Sequence, residues 1–327
     1  MAESQKKDPA LVEALKGLLD DYTGGHPMQG RKFVRRSLRN LAEDLQRRGH
    51  RASPATVGKL LRAENYSPQA NRKRYASTRH ADRDRQFRYI ARRKQAFLAA
   101  GLPVLSIDTK KKELIGNFQN RGRKWCQEAE AVNTHDFKTG ASAQAVPYGL
   151  YVVNQNRGYV RVGLSANTAE FAVDTIVSWW QADGRRDFPD ADALLVLADS
   201  GGSNGCRPRL WKARLQTQLA DRFGLAVTVC HYPTGASHYN PVEHRLFGPI
   251  SVNWAGTPLR SLPLLLACIR GTKTQTGLRV KASLNRKQYK TKIKVSDQEM
   301  KSLNLKRHKV CPTWNYTIKP RQKALQV

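Results

Sequence analysis

The sequence predicts an α/β fold, a mixed sheet flanked by helices, with a helical region before it and a basic appendage after it. Three observations predict this. The centre of the 327-residue chain alternates in the order strand, hairpin, helix, strand, helix, strand, helix. One of those strands, "ALLVLADS" (193–200), is continuously apolar, as suits a central strand covered on both faces. The first hundred residues instead space their apolar side chains as helices do.

The elements follow in order. In "DPALVEALKGLLDDY" the residues Leu11, Leu15, Leu18 and Leu19 share one helical face. In "SLRNLAEDLQRRGH" Ser37 is the N-cap, Leu38, Leu41 and Leu45 form one stripe, and Gly49 is the stop. "SPATVGKLLRAENY" opens on Ser53 as N-cap and Pro54 as first helical residue. Two short capped helices joined by a glycine-containing turn predict a helix-turn-helix within 1–75, although an ordinary helical hairpin shares the pattern. With Val57, Leu60 and Leu61 inward, the 100° step per residue leaves Thr56, Lys59 and Arg62 outward as candidate contacts to a DNA groove. The basic stretch "NRKRYASTRHADRDRQFRYIARRKQ" then reads as a linker leading into a helix, over 76–100.

Over 101–270, "PVLSIDT" is a strand, and residues 110–147 are polar without clear periodicity. "YGLYVVNQNRGYVRVGLS" is a hairpin turning at "NQNRG". "TAEFAVDTIVSWWQADG" is a helix offering Phe171, Ile176 and Trp179 or Trp180 to the core. "PRLWKARLQTQLADRFG" is an amphipathic helix ended by Gly224, and "LAVTVCHY" is a strand. "NPVEHRLFGPISVNW" begins a helix at Asn240 and Pro241. Residues 271–327 read as a basic, irregular and poorly packed extension.

Charge is the strongest bulk signal. The formal net charge is +31, and it is unevenly spread. Residues 1–100 carry 23 Lys and Arg against 10 Asp and Glu, residues 101–270 carry 19 against 14, and residues 271–327 carry 15 against 2. Two basic flanks around a nearly balanced centre suit a phosphate backbone, which binds by releasing counterions. No apolar run approaches the roughly 20 residues of a membrane span, and the N-terminus has no secretory apolar region. The five cysteines are odd in number and never spaced C-x-x-C, which predicts a reducing, cytoplasmic compartment and argues against a zinc ribbon. His231, His238 and His244 lack the i, i+4 spacing of a helical zinc pair.

Three acids stand at informative places. Asp108 ends the first central strand, at the edge of the basic run Lys110, Lys111 and Lys112. Asp199 ends the continuously apolar strand, 91 residues later, before Gly201 and Gly202. Glu243 lies 44 residues further on, in the first turn of the helix after the last strand. Two adjacent strand ends and a nearby helix start can bring three carboxylates together at the carboxyl edge of the sheet, where open α/β sheets bind ligands. So placed, the acids repel one another unless a cation sits among them. Oxygen ligands suit Mg2+ or Mn2+, and two such ions can clamp the attacking and leaving oxygens of a phosphodiester. The lysines beside Asp108 would hold the phosphates, and His244 could position water or phosphate.

The stretches "LSIDTKKKELIGNFQNRGRKW", "VNTHDF", "PYGLY", "TAEFAVDTIVSWW", "ADSGGSNG…RLWK", "HYNPVEHRLFGPISVNW" and "IKVSD…WNYTI" resemble the Rhodopirellula-type transposases, a DDE group of bacterial insertion sequences. The resemblance runs from about Lys6 to Ile318. It implies an RNase H-like catalytic fold, divalent metal, and strand cleavage and transfer on double-stranded DNA, at element ends and target. It also allows a homodimer in the synaptic complex and work on the nucleoid. The family's acids fall on Asp108, Asp199 and Glu243. The resemblance also implies that a further N-terminal helix-turn-helix is often present, and the expectation is that this chain starts after its place, as a shortened copy or one with a start set too late. Two other classes stay open on the sequence: an RNase H-like nuclease that cuts without joining, and a non-catalytic DNA-binding remnant acting as a repressor.

Overall fold

A computed structural model describes residues 8–25, 32–34, 36–68 and 80–321. The chain divides into two compact units, Met1–Tyr75 and Ala76–Val327.

The first unit holds α1 (Leu11–Tyr22), a short antiparallel pair β1 (Thr23–Gly25) and β2 (Lys32–Val34), then α2 (Leu38–Arg47) and α3 (Pro54–Ala63). The last two helices start as their sequences dictate. Ser37 Oγ accepts from the Asn40 N–H and Ser53 Oγ from the Thr56 N–H, each at 3.1 Å, so each serine satisfies an orphan donor of its first turn. Leu11, Leu15, Leu41, Leu45 and Val57 are buried together and form the unit's core. Leu38, expected in the inward stripe, is instead 40% exposed.

The second unit is a mixed sheet flanked by helices. It begins with α4 (Arg83–Ala99), then β3 (Val104–Thr109), β4 (Glu113–Ile115), β5 (Ala143–Val152) and β6 (Arg157–Gly163). Helix α5 (Ala169–Trp179) leads to β7 (Ala193–Asp199), and α6 (Arg209–Arg214) to β8 (Ala226–Tyr232). A wide helical turn, Glu243–Phe247, runs into α7 (Gly248–Asn253), followed by α8 (Leu262–Arg270), β9 (Arg279–Asn285), α9 (Asp297–Lys301), β10 (Leu305–Arg307) and β11 (Asn315–Ile318). The strand order is β10-β11-β8-β7-β3-β5-β6-β9, with β4 on β5. Strands β3, β7 and β8 run parallel, and β5 runs antiparallel to β3 and β6.

Strand alternation sorts the side chains between the two faces. Leu105, Ile107, Leu194, Val196, Val227 and Val229 meet Phe171, Ile176, Trp211 and Leu215 on one side. Val104, Leu195, Leu197 and Cys230 meet Ile90 and Phe97 of α4 on the other. Helix α4 is therefore part of this unit's core. Its Gln86, with no exposed surface, donates to the His231 carbonyl at 2.9 Å and to Asn315 Oδ1 at 2.8 Å. A buried amide so satisfied stiffens the junction of α4, β8 and β11.

The C-terminal residues correct the sequence reading. Instead of a poorly packed appendage, they extend the sheet at both edges. Strand β9 pairs parallel with β6, and β11 pairs antiparallel with β8, where Tyr316 and Ile318 are fully buried. The basic residues do not prevent this, because an edge strand keeps one face in water.

Candidate active site

Asp108 and Asp199 come to one place because β3 and β7 are adjacent, parallel and in register, with Ser106 beside Leu197. By the two-residue period of a strand, Ser106, Asp108, Leu197 and Asp199 share the face that also carries α4. Both acids sit where their strands end, one with the burial of the sheet behind it and the loop in front.

Glu243 is brought there by two absent side chains. Gly149 lies directly opposite Asp108 in the ladder, and Gly158 lies on the next strand. A Cβ on Gly149 would stand 2.5 Å from Phe247 Cε1, and one on Gly158 would collide with Leu246. Glycine at both positions lets the Glu243–Phe247 turn lie close on the sheet. Leu246 and Phe247 are then buried with Tyr151, Val160 and Ile250.

A buried network fixes the three acids relative to one another. Asn240 Nδ2 donates to Asp199 Oδ1 and to the Ile107 carbonyl, both at 3.1 Å. Asn240 Oδ1 accepts from Ser106 Oγ at 2.5 Å, and Ser106 Oγ accepts from the Val242 N–H at 2.8 Å. One serine in a strand and one asparagine three residues before Glu243 thus tie β3, β7 and the Glu243 turn together. Beneath Asp199, fully buried His231 contacts its carbonyl through Nδ1 at 2.8 Å. Its Nε2 meets Tyr316 Oη at 3.2 Å, and that hydroxyl accepts from Trp211 Nε1 at 2.8 Å. Burial lowers the His231 pKa to about 4, against the opposing pull of the Asp199 carbonyl, so the ring is a neutral brace.

Asp108 and Asp199 hold their protons unusually tightly. Burial first, then the charge of Asp199, pushes Asp108 up to about 8, with hydrogen bonding to Glu243 and its charge adding to the effect. The Thr109 N–H, donating to Asp108 Oδ1 at 2.7 Å, pulls the other way. Burial pushes Asp199 up to about 6, opposed by the Asn240 amide and reinforced by the charge of Glu243. In a chain of net charge +31, no cationic side chain among the described residues pairs with Asp108, Asp199 or Glu243. Lys110, the nearest in sequence, bonds Glu113 at 2.8 Å and lies 4.7 Å from the Trp254 ring centre.

Unpaired, mutually repelling carboxylates are the donor chemistry of a Mg2+ or Mn2+ site. Among the described residues no three His, Cys, Asp or Glu side chains are gathered tightly enough to enclose one ion. The cluster is thus a set of acids in electrostatic contact, and not a closed cage.

The other sequence-predicted residues fall as follows. Lys111 and Lys112 are exposed just past the end of β3, whereas Lys110 is committed to Glu113. In the first unit, Lys59 and Arg62 are exposed, while Thr56 is half-buried and its hydroxyl lies 3.0 Å from Ser53 Oγ in the helix cap. His244 is exposed beside Glu243. Trp179 and Trp180 are core residues, as expected, and Trp254 is buried as well. Sequence reasoning missed Ser106 and Asn240. Their signals were a lone polar residue inside an apolar strand and an asparagine at a helix start, just before a proline.

The sequence matches the family described as Rhodopirellula transposase DDE domain over residues 14–320. No curated protein matches it. Among solved structures, the Mos1 transposase paired-end complex with left transposon end is 15% identical, with a TM-score of 0.42 over 77% of this chain and 67% of that one. The Mos1 strand transfer complex is 14% identical, with a TM-score of 0.42 over 78% and 67%. The Mos1 mariner paired-end complex with Mn is 15% identical, with a TM-score of 0.41 over 77% and 68%. Among the described residues no helix is long and apolar enough to cross a membrane.

Proposed function

Because the chain belongs to the family of the Rhodopirellula transposase DDE domain, we propose that it is the DNA transposase of a bacterial insertion sequence, with Asp108, Asp199 and Glu243 as its catalytic, metal-holding carboxylates. The observation that carries this reading is an acid cluster that has no cationic partner among the described residues, inside a strongly basic chain. A structural role would have drawn at least one Lys or Arg onto a buried carboxylate, since leaving one uncompensated is costly. The order β6-β5-β3-β7-β8, three antiparallel strands continued by two parallel ones, supports an RNase H-like reading of the sheet.

Two divalent ions, when bound, would supply the charge that ionises an attacking oxygen and stabilises the leaving one. The chain's own residues supply position. Asn240 orients Asp199, and Ser106 holds the turn that carries Glu243. Lys111 and Lys112 offer positive charge to phosphates arriving at Asp108. Water attacking in line would leave a 3′-hydroxyl at the element end. The same site could then direct that hydroxyl at a target phosphodiester, with no external energy source, because one phosphodiester replaces another. Lys59 and Arg62 of α3, with Thr56 at its start, would contact the element-end duplex as a helix-turn-helix. A homodimer would hold two ends together, and the work would take place on the nucleoid.

The test mixes a labelled, pre-cleaved terminal duplex with plasmid, protein and Mn2+ or Mg2+. Label moving into plasmid supports the transposase. Nicking without transfer on authentic ends supports a nuclease. Normal binding with neither supports a repressor remnant.

A further inference from the structure

The 116–142 connection between β4 and β5 carries Trp125, whose side chain is fully exposed. A bare tryptophan is far less usual than an exposed leucine, because its large apolar surface is normally covered. Among the described residues Trp125 has no ring or cation partner. Its surroundings are held in place by neighbouring residues. Asn120 Nδ2 donates to the Trp254 carbonyl at 3.0 Å and to the Thr257 carbonyl at 3.2 Å. The Gly256 N–H donates to the Arg121 carbonyl at 3.2 Å. Just past Trp125, Glu130 is held by both Lys124 and Arg260. The ring is thus presented by an anchored segment.

Its position relates to the acids. In the ladder Thr109 lies opposite Tyr148, so residues 143–145 of β5, with β4 paired to them, project beyond the end of β3. The connection therefore leaves and rejoins the sheet beyond the end of β3 that carries Asp108. The side chains of Arg121 and Arg123 beside the tryptophan are exposed, and neither forms an ion pair among the described residues.

We propose that this segment is a DNA-binding arm, in which Trp125 stacks on an unpaired base near the reacting strand end while Arg121 and Arg123 hold the adjoining phosphates. An aromatic face flanked by free guanidinium groups is the chemistry that grips single-stranded or splayed nucleotides, and it suits any base because every base has a π-face. The inference rests on the transposase reading and adds to it a requirement for an unpaired base next to the scissile phosphate.

The experiment uses the full chain in EDTA, so that binding is measured without cleavage. The probe is an element-end duplex with a short single-stranded extension carrying 2-aminopurine, compared with the blunt duplex. The parent quenches the 2-aminopurine. Trp125→Ala should lose the quench and bind the extended duplex roughly tenfold more weakly, with little change on the blunt one, while Trp125→Phe keeps most of both. Parent-like quenching and affinity in Trp125→Ala overturn the proposal. So does loss of a parent dimer in Trp125→Ala with DNA binding unchanged, which would assign the ring to a second copy of the chain. A parent that binds neither duplex at any salt overturns the transposase reading itself.

Discussion

Asn240, a side chain with no exposed surface, donates to Asp199 Oδ1 at 3.1 Å, and its own oxygen is held by Ser106 of β3, the strand that carries Asp108. This one amide fixes the mutual position of two strand ends and the turn that follows. Asn240→Ala would leave the Ser106 hydroxyl and Asp199 short of partners, at a cost of about 1–3 kcal/mol. Strand cleavage should fall roughly 10- to 100-fold, the usual effect of losing a residue that orients a metal-ligating carboxylate. Urea melts and nicking rates on the same preparation check both.

Asp108→Asn should abolish cleavage and leave DNA affinity close to the parent's, since a neutral amide takes no positive charge away from the phosphates and relieves repulsion of the backbone. Fluorescence anisotropy alongside a plasmid-nicking assay reads the two separately. A variant that still nicks would remove Asp108 from the chemistry.

The raised proton affinities of Asp108 and Asp199 give stability a pH dependence of known sign. Both groups bind protons more tightly in the folded chain than in the unfolded one, where carboxylates titrate near about 4. Their contribution is therefore complete below that pH and is lost as pH rises through about 6 for Asp199 and about 8 for Asp108. In EDTA, the Tm of the parent should fall relative to Asp108→Asn between about pH 4 and 8, each tenfold difference in proton affinity being worth about 1.4 kcal/mol. Saturating Mn2+ should recover the parent and barely move the variant. Parallel Tm curves for the two proteins in EDTA would count against a strained acid cluster.

Gly149→Ala tests how Glu243 reaches the sheet. The added methyl meets the Phe247 ring, so stability should drop by about 1–3 kcal/mol, as for an overpacked core. Cleavage should fall by more than the folded fraction explains, because the turn carrying Glu243 lifts from β5. Restored cleavage in the double variant with Phe247→Leu would confirm that steric origin.

In the first unit, Lys59→Ala with Arg62→Ala should weaken binding to terminal DNA. It should also lower the log-log salt slope by roughly 0.9 for each phosphate that the variant no longer neutralises. Unchanged affinity at every salt would remove α3 from the interface.

Much of this site was legible in the sequence because its acids follow apolar runs. Asp108 and Asp199 each close a run whose length and continuity mark a covered strand, and Glu243 opens the helix after the next strand. Ser106 and Asn240 were not legible, since their partners lie 134 residues apart and a polar atom inside a strand gives no local hint of its mate. The lysine run misled in part: Lys110 looked like its neighbours but bonds Glu113 three residues on. The C-terminal strands were hidden for another reason. Strand β9, "RVKASLN", is an edge strand with few apolar residues, and β11 is four residues long and owes its place to β8, far back in the chain.

If the carboxylates of Asp108, Asp199 and Glu243 form a divalent-cation site, anomalous diffraction from crystals grown with Mn2+ will locate the ion. The expected result is anomalous density in contact with the Asp108 and Asp199 carboxylates, absent from crystals of Asp108→Asn. Density only elsewhere, in a protein that cleaves DNA in the same buffer, would contradict it.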